Sequence, residues 1–226
     1  MLSGGQGGDI WQAGILIELE PGWKTYWRVP GDTGIPPQFD WAGSKNTGAI
    51  EVGYPVPSRF HDAGGESIGY HDQVLFPLFV RPEKPDEMVH LQLNMFFAVC
   101  NEICIPAKAT VDLLLNSSGI NPVLQNWQQR VPRIVAMGEA PLVAAIRVET
   151  LLGKPMLVLS LVKEAQDIFV ESETTAYFGK PQFDVVSGEA WLPIWNLSDT
   201  EKLRGVPLKA TLSFGVSGIE QMLVLN

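Results

Sequence analysis

A chain of 226 residues that is 46% hydrophobic and 18% charged can bury a core of one large or two ordinary domains, which excludes a disordered polypeptide. Sixteen Lys and Arg against 25 Asp and Glu give a formal charge of −9, and no basic run interrupts that balance, so nucleic acid is excluded as a partner. No apolar stretch reaches the roughly 18 residues that a membrane-spanning helix needs, and the piece is expected to be soluble.

The opening "MLSGGQGGDIWQ" has neither a basic n-region nor an apolar h-region; it reads as a flexible end, and the compartment has to be argued from the cysteines. Seventeen prolines and 22 glycines then punctuate short runs rich in Val, Ile, Leu, Phe and Trp, which predicts an all-β fold of the sandwich kind. Alternation from Ile15 through Leu19 stops at Pro21-Gly22. A run from Gln73 to Val80 stops before Pro82, and further strands follow from Met88 and over Ala107 to Leu115. In "INPVLQNWQQRVP", Asn121 is a candidate N-cap and Pro122 a first helical residue. Val123, Leu124, Trp127 and Val131 have helical spacing, so the pattern predicts a helix over 122–130. Strand signals resume in "LVAAIRVET", "KPMLVLSLV", "PLKATLSFGV" and "IEQMLVLN". The expected organisation is a β domain over 1–118, a helix-containing linker over 119–140, and a second β domain over 141–226.

Chemistry is concentrated in the first domain, which carries both cysteines, all three histidines and the aromatic residues Tyr26, Trp27, Trp41, Tyr54 and Tyr70. The second has no Cys and no His, and its Trp191 and Trp195 read as packing residues. In "FFAVCNEICIPA", Cys100 and Cys104 would lie about 13 Å apart in a straight strand, whereas a disulfide requires Cα atoms roughly 4.4 to 6.8 Å apart. The chain must therefore turn between them, by one helical turn or by a hairpin with Asn101, Glu102 and Ile103 as its loop. Strand-like flanks and Pro106 favour the hairpin, with the cysteines facing each other across its mouth.

Four roles fit such a pair: redox exchange, a structural staple, a metal clip, or free thiols. A staple closing a ring of about five residues gains only some 2 kcal/mol in the chain-entropy estimate. Cys-x-x-x-Cys with Pro two residues on is similar to the copper site of the Sco copper chaperones, and thiolates select Cu(I). His61, His71, His90 or Met95 would complete that site, although the alternating βαβ pattern is missing. Zinc would need two further ligands that no Cys or close His pair offers.

Three ordered motifs, "PGWKTYWRVPGDTGIPPQFDW", "GYHDQVLFP" and "FAVCNEICIPAKATVDL", resemble the N-terminal periplasmic domain of the DsbD family of protein-disulfide reductases. The cysteine spacing and the second β domain look most like its ScsB branch, the suppressor-of-copper-sensitivity proteins. The resemblance implies immunoglobulin-like β-sandwiches in the periplasm, one reversible Cys100–Cys104 disulfide, and no cofactor or resident metal. It implies that a transmembrane domain of the same full-length protein supplies electrons and that periplasmic thioredoxin-fold or peroxiredoxin-like proteins accept them. By the family pattern Cys104 forms the mixed disulfide and Cys100 resolves it. A copper(I)-binding module using the same cysteines is the alternative.

The family's aromatic cap loop corresponds to about Arg59 to Glu66. Phe60 and His61 are followed there by Ala63-Gly64-Gly65, so the sulfurs are expected to be more open. Asn101, Glu102, Phe60, His61, Tyr70 and His71 are the expected surroundings of the pair. Glu102 would disfavour a thiolate, while Lys108 on the next strand would favour one. Trp23, Tyr26 and Trp27 read as a packing cluster, with an aromatic platform near the cysteines, suited to a partner surface, as the alternative.

Overall fold

The computed structural model describes residues 1–31, 34–62, 65–115, 119–136 and 138–226. The chain divides into two compact units, Met1–Val131 and Pro132–Asn226. The strands of the first are β1 (Leu2–Gly7), β2 (Ile10–Glu18), β3 (Lys24–Gly31), β4 (Gln38–Asp40), β5 (Ala49–Val52), β6 (Ser58–Asp62), β7 (Gly65–His71), β8 (Gln73–Arg81), β9 (Val89–Cys100) and β10 (Cys104–Leu115). They form one sheet in the order β1-β2-β8-β5 and a second in the order β10-β9-β3-β7-β6, with β4 also paired to β9. The alternating apolar residues expected of half-buried strands make the core: Ala13, Ile15 and Ile17 from β2, Phe76, Leu78 and Val80 from β8, and Leu91 and Leu93 from β9 are all buried.

β8 is apolar on both sides because both sides are covered. Helix α1 (Pro122–Gln128) packs on β8 and β1, with Leu124 fully buried. The helix starts where the cap signals put it, the Asn121 side chain accepting hydrogen bonds from the N–H groups of Val123 and Leu124. It is thus part of the first compact unit. Its seat explains the glycine-rich opening, which is not a flexible end but strand β1. A Cβ on Gly4 would lie 2.2 Å from Leu124 Cδ2, and one on Gly14 would lie 2.6 Å from Leu75 Cδ2 and 3.0 Å from Leu124 Cδ1. Both glycines make room for the helix.

The second unit comprises β11 (Arg133–Ile134), β12 (Val143–Leu151), β13 (Lys154–Leu161), β14 (Asp167–Ser172), β15 (Tyr177–Phe178), β16 (Gln182–Asp184), β17 (Glu189–Trp195), β18 (Pro207–Ser213) and β19 (Gly218–Val224). Its sheets run β11-β19-β18-β14 and β12-β13-β17-β15, with β16 also on β17. Leu157, Leu159, Ile168, Leu192, Ile194, Leu208 and Leu212 form its core. On β17, Ala190, Leu192 and Ile194 point inward, so Trp191 and Trp195 alternate to the outer face. They carry the cations of Arg147 and Lys154 there, each 5.7 Å from a ring centroid, instead of packing in the core.

Candidate functional site

The long hairpin of β9 and β10 is in register from Val89 opposite Leu115 to Cys100 opposite Cys104. Asn101, Glu102 and Ile103 form its loop, closed by the Asn101 N–H donating to the Ile103 carbonyl at 3.1 Å. The cysteines are bonded to each other with their Cα atoms 4.1 Å apart. The predicted hairpin and cross-mouth pairing are both present.

The two sulfurs sit in different surroundings because their strands do. β9 lies between β10 and β3, and Cys100 is directly opposite Lys24 on β3. It is 1% exposed and clusters with Tyr26 and Ala98, under Ile35. Cys104 begins the edge strand and is exposed, flanked by Ile103 and Ile105 at 67% and 43% exposure. The Tyr26 hydroxyl donates to Cys100 Sγ at 2.8 Å and lies 3.4 Å from Cys104 Sγ. Gly34 packs against the phenol, where a Cβ would come within 2.5 Å of the ring, and Gly69 stands opposite the Tyr26 backbone on β7. Tyr26 therefore belongs to the site as well as to the packing.

Around this centre the other expected residues divide. Asn101 and Glu102 are exposed in the loop, with the Asn101 amide beside the turn at Gly22, whose φ is +83°. His71 is opposite Lys24 on β7 and so shares the face of Cys100. Its Nδ1 is 3.1 Å from the Trp23 carbonyl, and its ring meets Phe60 edge to face at 4.2 Å. Lys24, 6% exposed, donates to Ser67 Oγ at 2.8 Å and lies 5.8 Å from the Phe60 ring centre. Phe60 and His71 thus flank the site.

Tyr70 and His61 do not. Tyr70 is one residue from His71 and therefore faces the sandwich core, where its hydroxyl donates to the Pro55 carbonyl at 2.8 Å and its ring meets Phe76. His61 is opposite Glu66 and alternates to the face away from Phe60. Ala63 and Gly64, on which part of the cap expectation rests, lie outside the described residues. Lys108 is opposite Phe96, roughly 13 Å along the strand from Cys104. The cation opposite the pair is Lys24, on a strand that the sequence does not advertise as a neighbour.

Met95 is buried on the opposite face of β9 from Cys100, and His90, ten positions up the strand, places Nε2 2.9 Å from Asp112 Oδ1. Neither approaches the sulfurs. Among the described residues no group of three or more His, Cys, Asp and Glu side chains could hold a metal ion. The arrangement offers an asymmetric dithiol: one exposed sulfur open to attack, and one shielded sulfur with a hydroxyl donor aimed at it.

Residues 6–116 match the family model described as thiol:disulfide interchange protein DsbD, N-terminal. The chain is similar in structure to the N-terminal periplasmic domain of ScsB from Proteus mirabilis, at 20% identity and a TM-score of 0.76, covering 99% of this chain and 91% of that one. At that identity the likeness establishes the fold. No curated protein matches the chain.

Proposed function

Residues 6–116 belong to the DsbD N-terminal family, and from that premise we propose that the chain is a periplasmic thiol-disulfide exchange module acting through Cys100 and Cys104. The observation that carries the proposal is the unequal exposure of the two sulfurs at the mouth of one hairpin, with the Tyr26 hydroxyl on the buried one. In the reduced protein the Cys104 thiolate attacks a partner disulfide, forming a mixed disulfide and releasing the partner's other sulfur as a thiolate. Cys100 then attacks Cys104 Sγ, restoring the intramolecular bond and releasing the partner's first sulfur. Two electrons pass to the partner, and the two thiol protons follow them. A transmembrane domain of the same full-length protein supplies the electrons, and thioredoxin-fold or peroxiredoxin-like proteins accept them. No helix among the described residues is long and apolar enough to cross a membrane, which agrees with a donor that works beside the bilayer.

Titration of the pair in graded dithiol buffers, with free thiols counted by mass, tests the proposal. A midpoint between about −200 and −280 mV is expected; one clearly below about −300 mV identifies a structural staple and overturns the exchange role.

The Tyr26 hydroxyl adds a second expectation. A hydrogen bond to an ionised group is worth about 1.5 to 3 kcal/mol and one to a neutral group about 0.5 to 1.5, so this donor favours the reduced, ionised pair over the disulfide by about 1 kcal/mol. Tyr26→Phe should make the potential about 20 mV more negative, because for two electrons about 30 mV corresponds to 1.4 kcal/mol. The shift should be largest above the ordinary thiol range near pH 8.5, where thiolate is present, and smallest near pH 6. A pH-independent shift, or none, would show that the hydroxyl only packs.

A further inference from the structure

In the second unit, β12 turns into β13 through only Leu152 and Gly153, with Leu151 opposite Lys154 at the mouth of the turn. Both turn residues have positive φ, 51° and 77°, the pattern of a type I′ turn. Asn-Gly is the favoured pair for that turn, because the left-handed region suits Asn and strains a residue such as Leu. Leu152 is nevertheless the tip, and it is 94% exposed. Backbone conformation and solvent both disfavour a leucine there, and the core of its own unit does not use it.

The rim behind the tip has a matching composition. Leu151 is opposite Lys154, the Lys154 ammonium lies 5.7 Å from the Trp195 ring centre, and Trp195 is opposite Tyr177 on β15. Residues opposite one another share a sheet face, so Leu151, Lys154, Trp195 and Tyr177 form one row across β12, β13, β17 and β15. Leu151 and Trp195 are 41% and 44% exposed. Glu149, the acid two positions before Leu151, is paired with Arg147. Trp and Tyr beside a Lys, with an aliphatic tip beyond them, is the set of side chains that settles where lipid headgroups meet acyl chains.

We propose that this rim seats the second unit on a lipid bilayer, with Leu152 among the outer acyl-chain carbons and Trp195 and Lys154 at headgroup level. The inference rests on the membrane-domain part of the proposed function and specifies which end of the second unit faces the membrane.

The course of the chain supports it. β13 leaves the tip, and β14 returns toward it after the short connection over 162–166. The end of β14, Ser172, is opposite Leu208 at the start of β18, and β19 ends with Val224 opposite Pro207. The last strand therefore runs toward the end of the unit that carries Leu152. The exchange domain is the N-terminal one in the family description, so a membrane domain of the same protein would follow β19 and hold this end near the bilayer. The size of the feature points the same way. A stable protein partner needs roughly 800 Å² on each side, far more than one protruding leucine offers, whereas a small apolar contact is enough to orient a unit that is already tethered.

The test uses the full oxidised chain with a histidine tag after Asn226, held on phosphatidylcholine nanodiscs by a lipid that bears a diamagnetic cobalt(III) chelate. Methyl NMR reads magnetisation transfer from the acyl-chain methylene protons. Transfer is expected at the Leu152 methyls and not at Val186, which is 98% exposed in the turn before β17 at the opposite end of the unit. Leu152→Asn keeps the turn, since Asn suits its positive φ, and should abolish transfer to Leu151 as well. No transfer to Leu152, equal transfer to Leu152 and Val186, or transfer to Leu151 unchanged in Leu152→Asn would each overturn the bilayer contact. The tether stands in for the membrane segment, so none of these results bears on the exchange role. The midpoint of Cys100 and Cys104 tests that role separately, and a staple-like value would overturn it while leaving the bilayer contact standing.

Discussion

A Cys104→Ser variant is expected to lose all disulfide exchange with protein partners, whereas Cys100→Ser is expected to accumulate mixed disulfides that do not resolve. The difference follows from access. An attacking or attacked sulfur needs an unobstructed line to its counterpart, and Cys100 is 1% exposed beneath Tyr26 and Ile35, while Cys104 opens the edge strand. The stability cost cannot explain the contrast, because both variants remove the same bridge, whose short ring contributes about 2 kcal/mol at most. Reaction with an unfolded, disulfide-bonded substrate protein, quenched with acid and resolved by mass, checks the pair. Trapping through Cys100 in the Cys104→Ser chain would reverse the assignment of roles.

Gly69→Ala is expected to destabilise the first unit by about 3 kcal/mol, lowering its thermal midpoint by about 10 °C. Gly69 is opposite Tyr26 on β3 and opposite Ser58 on β6. A Cβ there would stand 2.0 Å from the Thr25 carbonyl oxygen and 2.9 Å from Tyr26 Cα. These are backbone atoms, so no rotamer change relieves the clash and β3 must separate from β7. The same movement displaces the Tyr26 hydroxyl from Cys100, so exchange should weaken together with stability. Gly119→Ala is the control, since a Cβ there meets nothing within 4 Å. Equal thermal midpoints for the two variants would show that β3 and β7 do not depend on the close approach.

Those features of the site that depend on near neighbours in the chain were legible in the sequence. Cys100 and Cys104 are separated by only three residues, so strand-like flanks and Pro106 suffice to predict a hairpin. The start of the helix is equally local, in Asn121 and Pro122. For Tyr26 the sequence favours packing over an aromatic platform near the cysteines, because its part in the site depends on β3 meeting the end of β9, a contact 74 residues apart in the chain. Lys24 was missed for the same reason, and Lys108 was placed near the pair by sequence proximity alone. Tyr70 and His71 show a subtler difficulty. In a strand, adjacent residues face opposite ways, and only the observed pairing of His71 with Lys24 decides which of them flanks the sulfurs. The glycine-rich opening has no local meaning either, since Gly4 is small on account of Leu124, far along the chain.

Strand β3 interleaves two tasks in consecutive letters. Lys24 and Tyr26 share the face of the sulfurs, while Thr25 and Trp27, both 1% exposed, alternate to the other side. This makes β3 intolerant of changes in length. Inserting or deleting one residue before Lys24 would exchange the two sets, setting a core tryptophan against the disulfide and a tyrosine hydroxyl in the core. Related chains should therefore place their insertions in the connecting loops.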